Sequence, residues 1–168
     1  MDSSLQRLID ESEIRKIVAR ICRGVDRMDL DLLRSCFHPD AILVGYTGDG
    51  QDLVVDDFIE YCRSGRAPYI STTHFIGNQL IEVDGEAAWA ESYARASHRL
   101  AGQDGQPDRD RIAHGRYIDR FEKREGEWRI VSRTMAVDSD RVDIVTDHWV
   151  PETQLNGRRD RNDPSYSD

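Results

Sequence analysis

The chain has 168 residues, 38% of them apolar, and its 32 acidic against 23 basic side chains leave a formal charge of −9. That length suits one domain able to bury about two-thirds of its unfolded surface, and the negative balance disfavours both a nucleic-acid backbone and an anionic membrane face as partners. Apolar runs are only a few residues long, far below the roughly 20 needed to cross a bilayer, and no basic-then-apolar leader opens the chain, so a cytoplasmic protein is expected.

Residues 4 to 28 carry a helical pattern in which Ile14, Val18, Ile21, Val25 and Met28 share a stripe at roughly 100° per residue. Beside it Ala19, Cys22 and Asp26 form a narrower strip, whose two small residues leave room in front of the carboxylate. Asp29 suits the N-cap of a short second helix, because Leu30, Leu33 and Phe37 follow at helical spacing and Pro39 ends it. Ala41 to Tyr46 reads as a strand. After a Gly48-Asp49-Gly50 turn, a third helix shows Val55, Phe58, Ile59 and Cys62 on its apolar face and stops at Gly65.

From Tyr69 the period changes to two. A strand runs to Val83, turns at Asp84-Gly85 and returns from Ala87 to Leu100; after a Gly/Asp/Gln-rich loop, two more strands meet at Glu125-Gly126. Strands this long must bend, and Gly77 and Gly115 are the natural kink points. Trp89, Phe121 and Trp128 are expected to pack the sheet and not a ligand, and His114 falls on the face opposite Tyr117. Helices followed by a meander predict an α+β fold, with the N-terminal helices covering a strongly curved antiparallel or mixed sheet. The domain is expected over residues 1–140. Residues 141–168 form a polar extension, and its part from Pro151 onward reads as a mobile or partner-bound tail.

Cys22, Cys36 and Cys62 are widely spaced with no Cys-x-x-Cys pair, as expected of buried free thiols. The five histidines, His38, His74, His98, His114 and His148, show no paired helical spacing, so neither a metal site nor a cofactor is expected. The residue pair that invites a catalytic reading is Asp26, at the end of the first helix, with His74 in a strand. Taken singly, Asp26 also suits a surface ion pair with Arg23, and His74 also suits a structural histidine.

The contexts of these two residues carry a family resemblance. Val25-Asp26, the segment Leu33-Arg34-Ser35-Cys36-Phe37-His38-Pro39-Asp40-Ala41, the Thr73-His74 strand and the closing Gly126-Glu127-Trp128-Arg129-Ile130-Val131-Ser132-Arg133 resemble the SnoaL-like branch of the nuclear transport factor 2-like superfamily over about residues 5 to 138. That branch includes scytalone dehydratase, hexachlorocyclohexane dehydrochlorinase, bile-acid dehydratase and polyketide cyclases. The resemblance implies a cone-shaped half-barrel. It also implies that Asp26 on the first helix would hydrogen-bond His74, which would remove a proton from carbon. Arg133 would stand in the pocket wall on the last strand, and His98 is a looser match to a second pocket histidine. Val25 stands where scytalone dehydratase has a tyrosine, a departure that speaks against scytalone-type substrates and leaves Tyr46 and Tyr117 to supply hydroxyls.

An imidazole is a useful base at neutral pH, and a carboxylate behind it fixes its tautomer and stabilises the imidazolium. Such help is worth about 10² to 10⁴ in rate, so the substrate must itself be activated. The leading expectation is a cofactor-independent dehydratase- or isomerase-like lyase acting on a small, largely apolar cyclic molecule. A non-catalytic binding or oligomerisation module is the alternative, and epoxide-hydrolase-like chemistry comes third for want of an Asp-Arg-Asp pocket set. A homodimer or homotrimer is expected, using the sheet's outer face. Arg133 and His98 stay open between pocket and structural positions.

Overall fold

In the computed structural model, which describes residues 3–64, 69–147 and 154–166, three helices pack on a six-stranded sheet. Helix α1 (Ser3–Asp26) buries Ile14, Val18, Ile21, Cys22 and Val25, and Asp26 with them. Ala19 is exposed, contrary to the strip expected of it, because it lies on the side of α1 turned away from the buried stripe of Ile14, Ile17, Val18, Ile21, Cys22 and Val25. The helix closes in a Schellman turn: Met28 N–H donates to Val25 O at 3.4 Å and Asp29 N–H to Gly24 O at 2.9 Å, with Met28 in the left-handed region at φ 52°. Asp29 then caps α2 (Leu30–Ser35), accepting from Leu32 N–H at 3.2 Å. The two helices touch at Gly24, where a Cβ would lie 2.9 Å from Leu33 Cβ and 3.0 Å from its Cα.

Strand β1 (Phe37–Val44) begins directly after α2, so Phe37 and Pro39 belong to a strand, not to the end of a helix. Phe37 pairs with Ile130 and packs edge-on against Phe58, their ring centroids 5.8 Å apart. That burial outweighs the helical spacing of Leu30, Leu33 and Phe37. Pro39 is tolerated because the β1 register is interrupted between Phe37 and Ile42, where no ladder N–H is required. A two-residue strand β2 (Leu53–Val54), unforeseen in the sequence, pairs with β1 and leads into α3 (Val55–Ser64), whose Val55, Phe58, Ile59 and Cys62 are all buried. The stop expected at Gly65 lies outside the described residues.

Strands β3 (Tyr69–Asp84), β4 (Ala87–Leu100), β5 (Arg109–Arg124) and β6 (Glu127–Ile144) form an antiparallel meander. The sheet order is β2-β1-β6-β5-β4-β3 with β1 and β6 parallel, so the sheet is mixed and unclosed. Its register shifts beside both expected glycines, between Ile76 and Gln79 and between His114 and Gly115. A Cβ at Gly115 would meet Ala136 O at 2.3 Å, so only glycine admits this approach. A further shift between Arg120 and Phe121 inserts Val131 as an extra residue on β6.

Phe121 and Trp128 join the core with Ile14, Leu33, Leu43 and Phe58. Trp89 does not: it alternates with buried Ala88 and Ala90, and so stands half-buried on the outer face. Residues 154–166 are also placed differently from the mobile or partner-bound tail read from composition. They lie on the α1–α2 corner, with Asp163 4% exposed and paired with Arg27 at 3.2 Å, and with Tyr166 Oη donating to Asp29 Oδ2 at 2.8 Å. Hydropathy does not register such packing, because ion pairs and hydrogen bonds make it.

Candidate active site

Asp26 places a negative charge at the end of α1 where the helix dipole is itself negative. Three donors from β3 offset that repulsion: Thr72 Oγ1 at 2.9 Å and His74 Nδ1 at 2.7 Å, both to Oδ1, and the His74 backbone N–H at 2.9 Å to Oδ2. Strand β3 is the sheet edge, and among the described residues its outward N–H groups have no neighbouring strand to pair with. One of them serves the carboxylate instead. The His74 and Asp26 side chains are only 6% and 11% exposed. With a carboxylate as its partner, Nδ1 carries the proton and Nε2 keeps a lone pair. Arg23, the alternative partner for Asp26, turns elsewhere, to Ser165 O at 3.1 Å and the Tyr166 ring.

His74 lines a cavity of about 110 Å3 between α1, α3 and the concave face of the sheet. Tyr46, His98, Tyr117 and Arg133 line it too, while Asp26 sits behind His74. Cys22, Phe58 and Met135 add apolar wall. The His98 ring stands edge-to-face to His74 at 5.4 Å and tilts against Tyr69 at 5.0 Å. His114 is exposed on the other face of β5.

Arg133 is 1% exposed and forks onto Asp119 through Nε and Nη2, both at 2.7 Å, with its guanidinium 4.4 Å above the Tyr117 ring. Burial works against this cation, but the Asp119 carboxylate more than compensates and holds its pKa above the ordinary value. The fork engages Nε and Nη2, and Arg133 lines the cavity. Burial also raises the Tyr46 phenol well above its usual range, so it stays a protonated donor. The Cys22 thiol is pushed up to about 12 by burial, which removes it as a nucleophile at neutral pH. Among the described residues, no group of three or more His, Cys, Asp or Glu side chains is placed to hold a metal ion.

Three residues of this site escaped the sequence reading. Thr72 and Tyr69 had a signal: Thr72 lies two positions before His74 and therefore on the same strand face, and Tyr69 opens the strand. Asp119 had none, because it meets Arg133 only through the bulge at Val131.

Residues 6–134 match the SnoaL-like domain family. The chain belongs to that family. Among solved structures, this SnoaL-like chain superposes on a hexachlorocyclohexane dehydrochlorinase (LinA) of type 2 with a TM-score of 0.76 at 19% identity, covering 90% of this chain and 100% of that one. A protein of unknown function from Mycobacterium tuberculosis gives 0.68 at 27% identity, covering 82% and 77%. A candidate scytalone dehydratase from Novosphingobium aromaticivorans gives 0.72 at 19% identity, covering 91% and 99%. At these identities the first and third likenesses speak for the fold alone. Among curated proteins, no sequence matches this one.

Proposed function

We propose that this SnoaL-like chain is a cofactor-independent lyase of dehydratase or isomerase type, in which His74 removes a proton from carbon and Asp26 holds its imidazole. The observation that carries the reading is the 2.7 Å contact between His74 Nδ1 and Asp26 Oδ1 beside a cavity of about 110 Å3. An engineered apolar cavity of about 150 Å3 admits benzene, so this volume suits a single small ring or less.

In the proposed step His74 Nε2 takes the proton from an acidified C–H, and Asp26 stabilises the imidazolium that forms. The C–H electron pair then forms a double bond and expels a leaving group from the adjacent carbon, or it moves onto a conjugated carbonyl oxygen as an enolate. In the first case the imidazolium returns its proton to the leaving group, and in the second to another carbon of the enolate. The Arg133 guanidinium and the Tyr46 hydroxyl are donors to whichever oxygen or anion gains charge. Because Asp119 already neutralises Arg133, the pocket suits a neutral substrate. Chains named dehydrochlorinase and dehydratase share this fold, and a lyase is in keeping with that.

The test incubates the protein with small cyclic alcohols and ketones in deuterium oxide and follows the substrates by NMR. Deuterium uptake or elimination that His74→Ala lowers by about 10² or more is expected. Turnover that survives the substitution unchanged would remove His74 as base.

An assembly role has a separate observation in its favour. Phe75, Leu80 and Tyr93 are 68%, 58% and 49% exposed on the sheet. They would be covered in the expected homodimer or homotrimer, and a monomeric mass by light scattering would exclude that arrangement.

A further inference from the structure

We infer that residues 154–166 form a clasp that positions Asp26 for its hydrogen bonds to His74; the importance of the clasp, though not its geometry, rests on the catalytic reading of that pair. The segment grips both elements that carry the pair. On the α1 side, Arg23 Nη2 donates to Ser165 O at 3.1 Å, Arg27 pairs with Asp163 at 3.2 Å, and Asp29 accepts from Arg161 Nη2 at 2.9 Å and Tyr166 Oη at 2.8 Å. On the β3 side, Arg159 Nη1 donates to Tyr69 O at 3.0 Å, while Nη2 of the same guanidinium reaches Met28 Sδ, also at 3.0 Å. One side chain thus joins the turn just after Asp26 to the start of the strand that carries His74.

The end of α1 shows why such a grip matters. Met28 holds a left-handed φ of 52° at the position where a Schellman turn ordinarily uses glycine. Asp26 lies in the last turn before it, so relaxation of Met28 toward ordinary torsions would unwind the turn that aims the carboxylate. Beside the Schellman bonds and the Asp29 cap of α2, contacts from the clasp oppose this relaxation, through Met28 itself and through Asp29 next to it. Among the described residues, none of 154–166 lines the cavity. The segment therefore acts through Asp26 as a positioning device, without forming a wall of the substrate pocket.

The experiment compares the full chain with the double variant Arg159→Ala/Tyr166→Phe and with a chain ending at residue 153. Each carries 15N-labelled histidine, and the ring nitrogen shifts are read at a pH where the imidazoles are neutral. In the full chain the Nδ1–H tautomer of His74 should dominate. In both altered chains its ratio to the Nε2–H tautomer should fall at least about threefold, the scale of one lost hydrogen bond. His38, whose Nε2 faces Glu122 O at 3.0 Å, should keep its own tautomer as an internal control. An unchanged His74 ratio in a double variant with wild-type circular dichroism and Tm would overturn the clasp, whether or not the shortened chain folds. A tautomer shift without turnover in any chain would uphold the clasp while removing the catalytic reading. Turnover with an unchanged ratio would do the reverse.

Discussion

At the scale of single residues, the site rests on two buried carboxylates with different partners. Asp26 faces the His74 imidazole and two further donors, so Asp26→Asn should leave the chain folded while permitting the wrong tautomer at His74. Single-turnover rates with a substrate found by the deuterium screen should fall by about 10² to 10⁴. Asp119 faces a guanidinium that is 1% exposed, and its removal is a different experiment. Asp119→Ala would strand a buried cation, and urea denaturation should show a loss of about 3 to 5 kcal/mol. A fall in activity there would report folding and chemistry together, which makes it a poor probe of mechanism.

At the scale of elements, the approach of α1 to α2 depends on the missing side chain of Gly24. In Gly24→Ala the new methyl would press on Leu33 Cβ and backbone at 2.9 to 3.0 Å. Neither helix can yield without moving Asp26 or Asp29. The midpoint of denaturation should drop by an amount equivalent to about 1 to 3 kcal/mol, and the His74 tautomer should loosen with it. A second tie fixes the other half of α1. Asp10 is buried against the sheet and accepts from Trp128 Nε1 at 2.8 Å, Lys123 Nζ at 2.9 Å and Gln6 Nε2 at 3.2 Å. The helix is thus held to β5 and β6 near its start and to β3 at its end.

At the scale of the whole molecule, that tie makes stability depend on pH. Burial would raise the Asp10 carboxyl, but the hydrogen bonds from Trp128, Lys123 and Gln6 prevail and hold it below the ordinary 3.8. A carboxyl lowered in the folded state adds stability that is fully present above its unfolded pKa and is lost as pH falls through its folded value. Urea midpoints should therefore decline below about pH 4. Asp10→Asn should flatten that part of the decline, and an unaltered pH profile in the variant would show that Asp10 does not contribute. No helix among the described residues is long and apolar enough to cross a membrane.

Local patterns in the chain were enough to determine the helix-then-meander order, the apolar stripes of α1 and α3 and the glycine kinks, whereas the pairing of Asp26 with His74 came from the family resemblance of their contexts. Periodicity and local context carry the first three because they depend on neighbours within a few residues. The place of Arg133 was open for the opposite reason. Continuing the hairpin from Arg124 and Glu127 without interruption would set it opposite Ile118 and turn it outward, away from Trp128 and Ile130. The extra residue at Val131 sets it opposite Asp119 and turns it into the cavity, since a one-residue slip exchanges the two faces of a strand. The same holds for residues 154–166, whose polar side chains find partners far away in the chain. Tertiary structure decided these features because a bulge or an ion pair is selected by the packing of the whole sheet and corner, which no local pattern encodes.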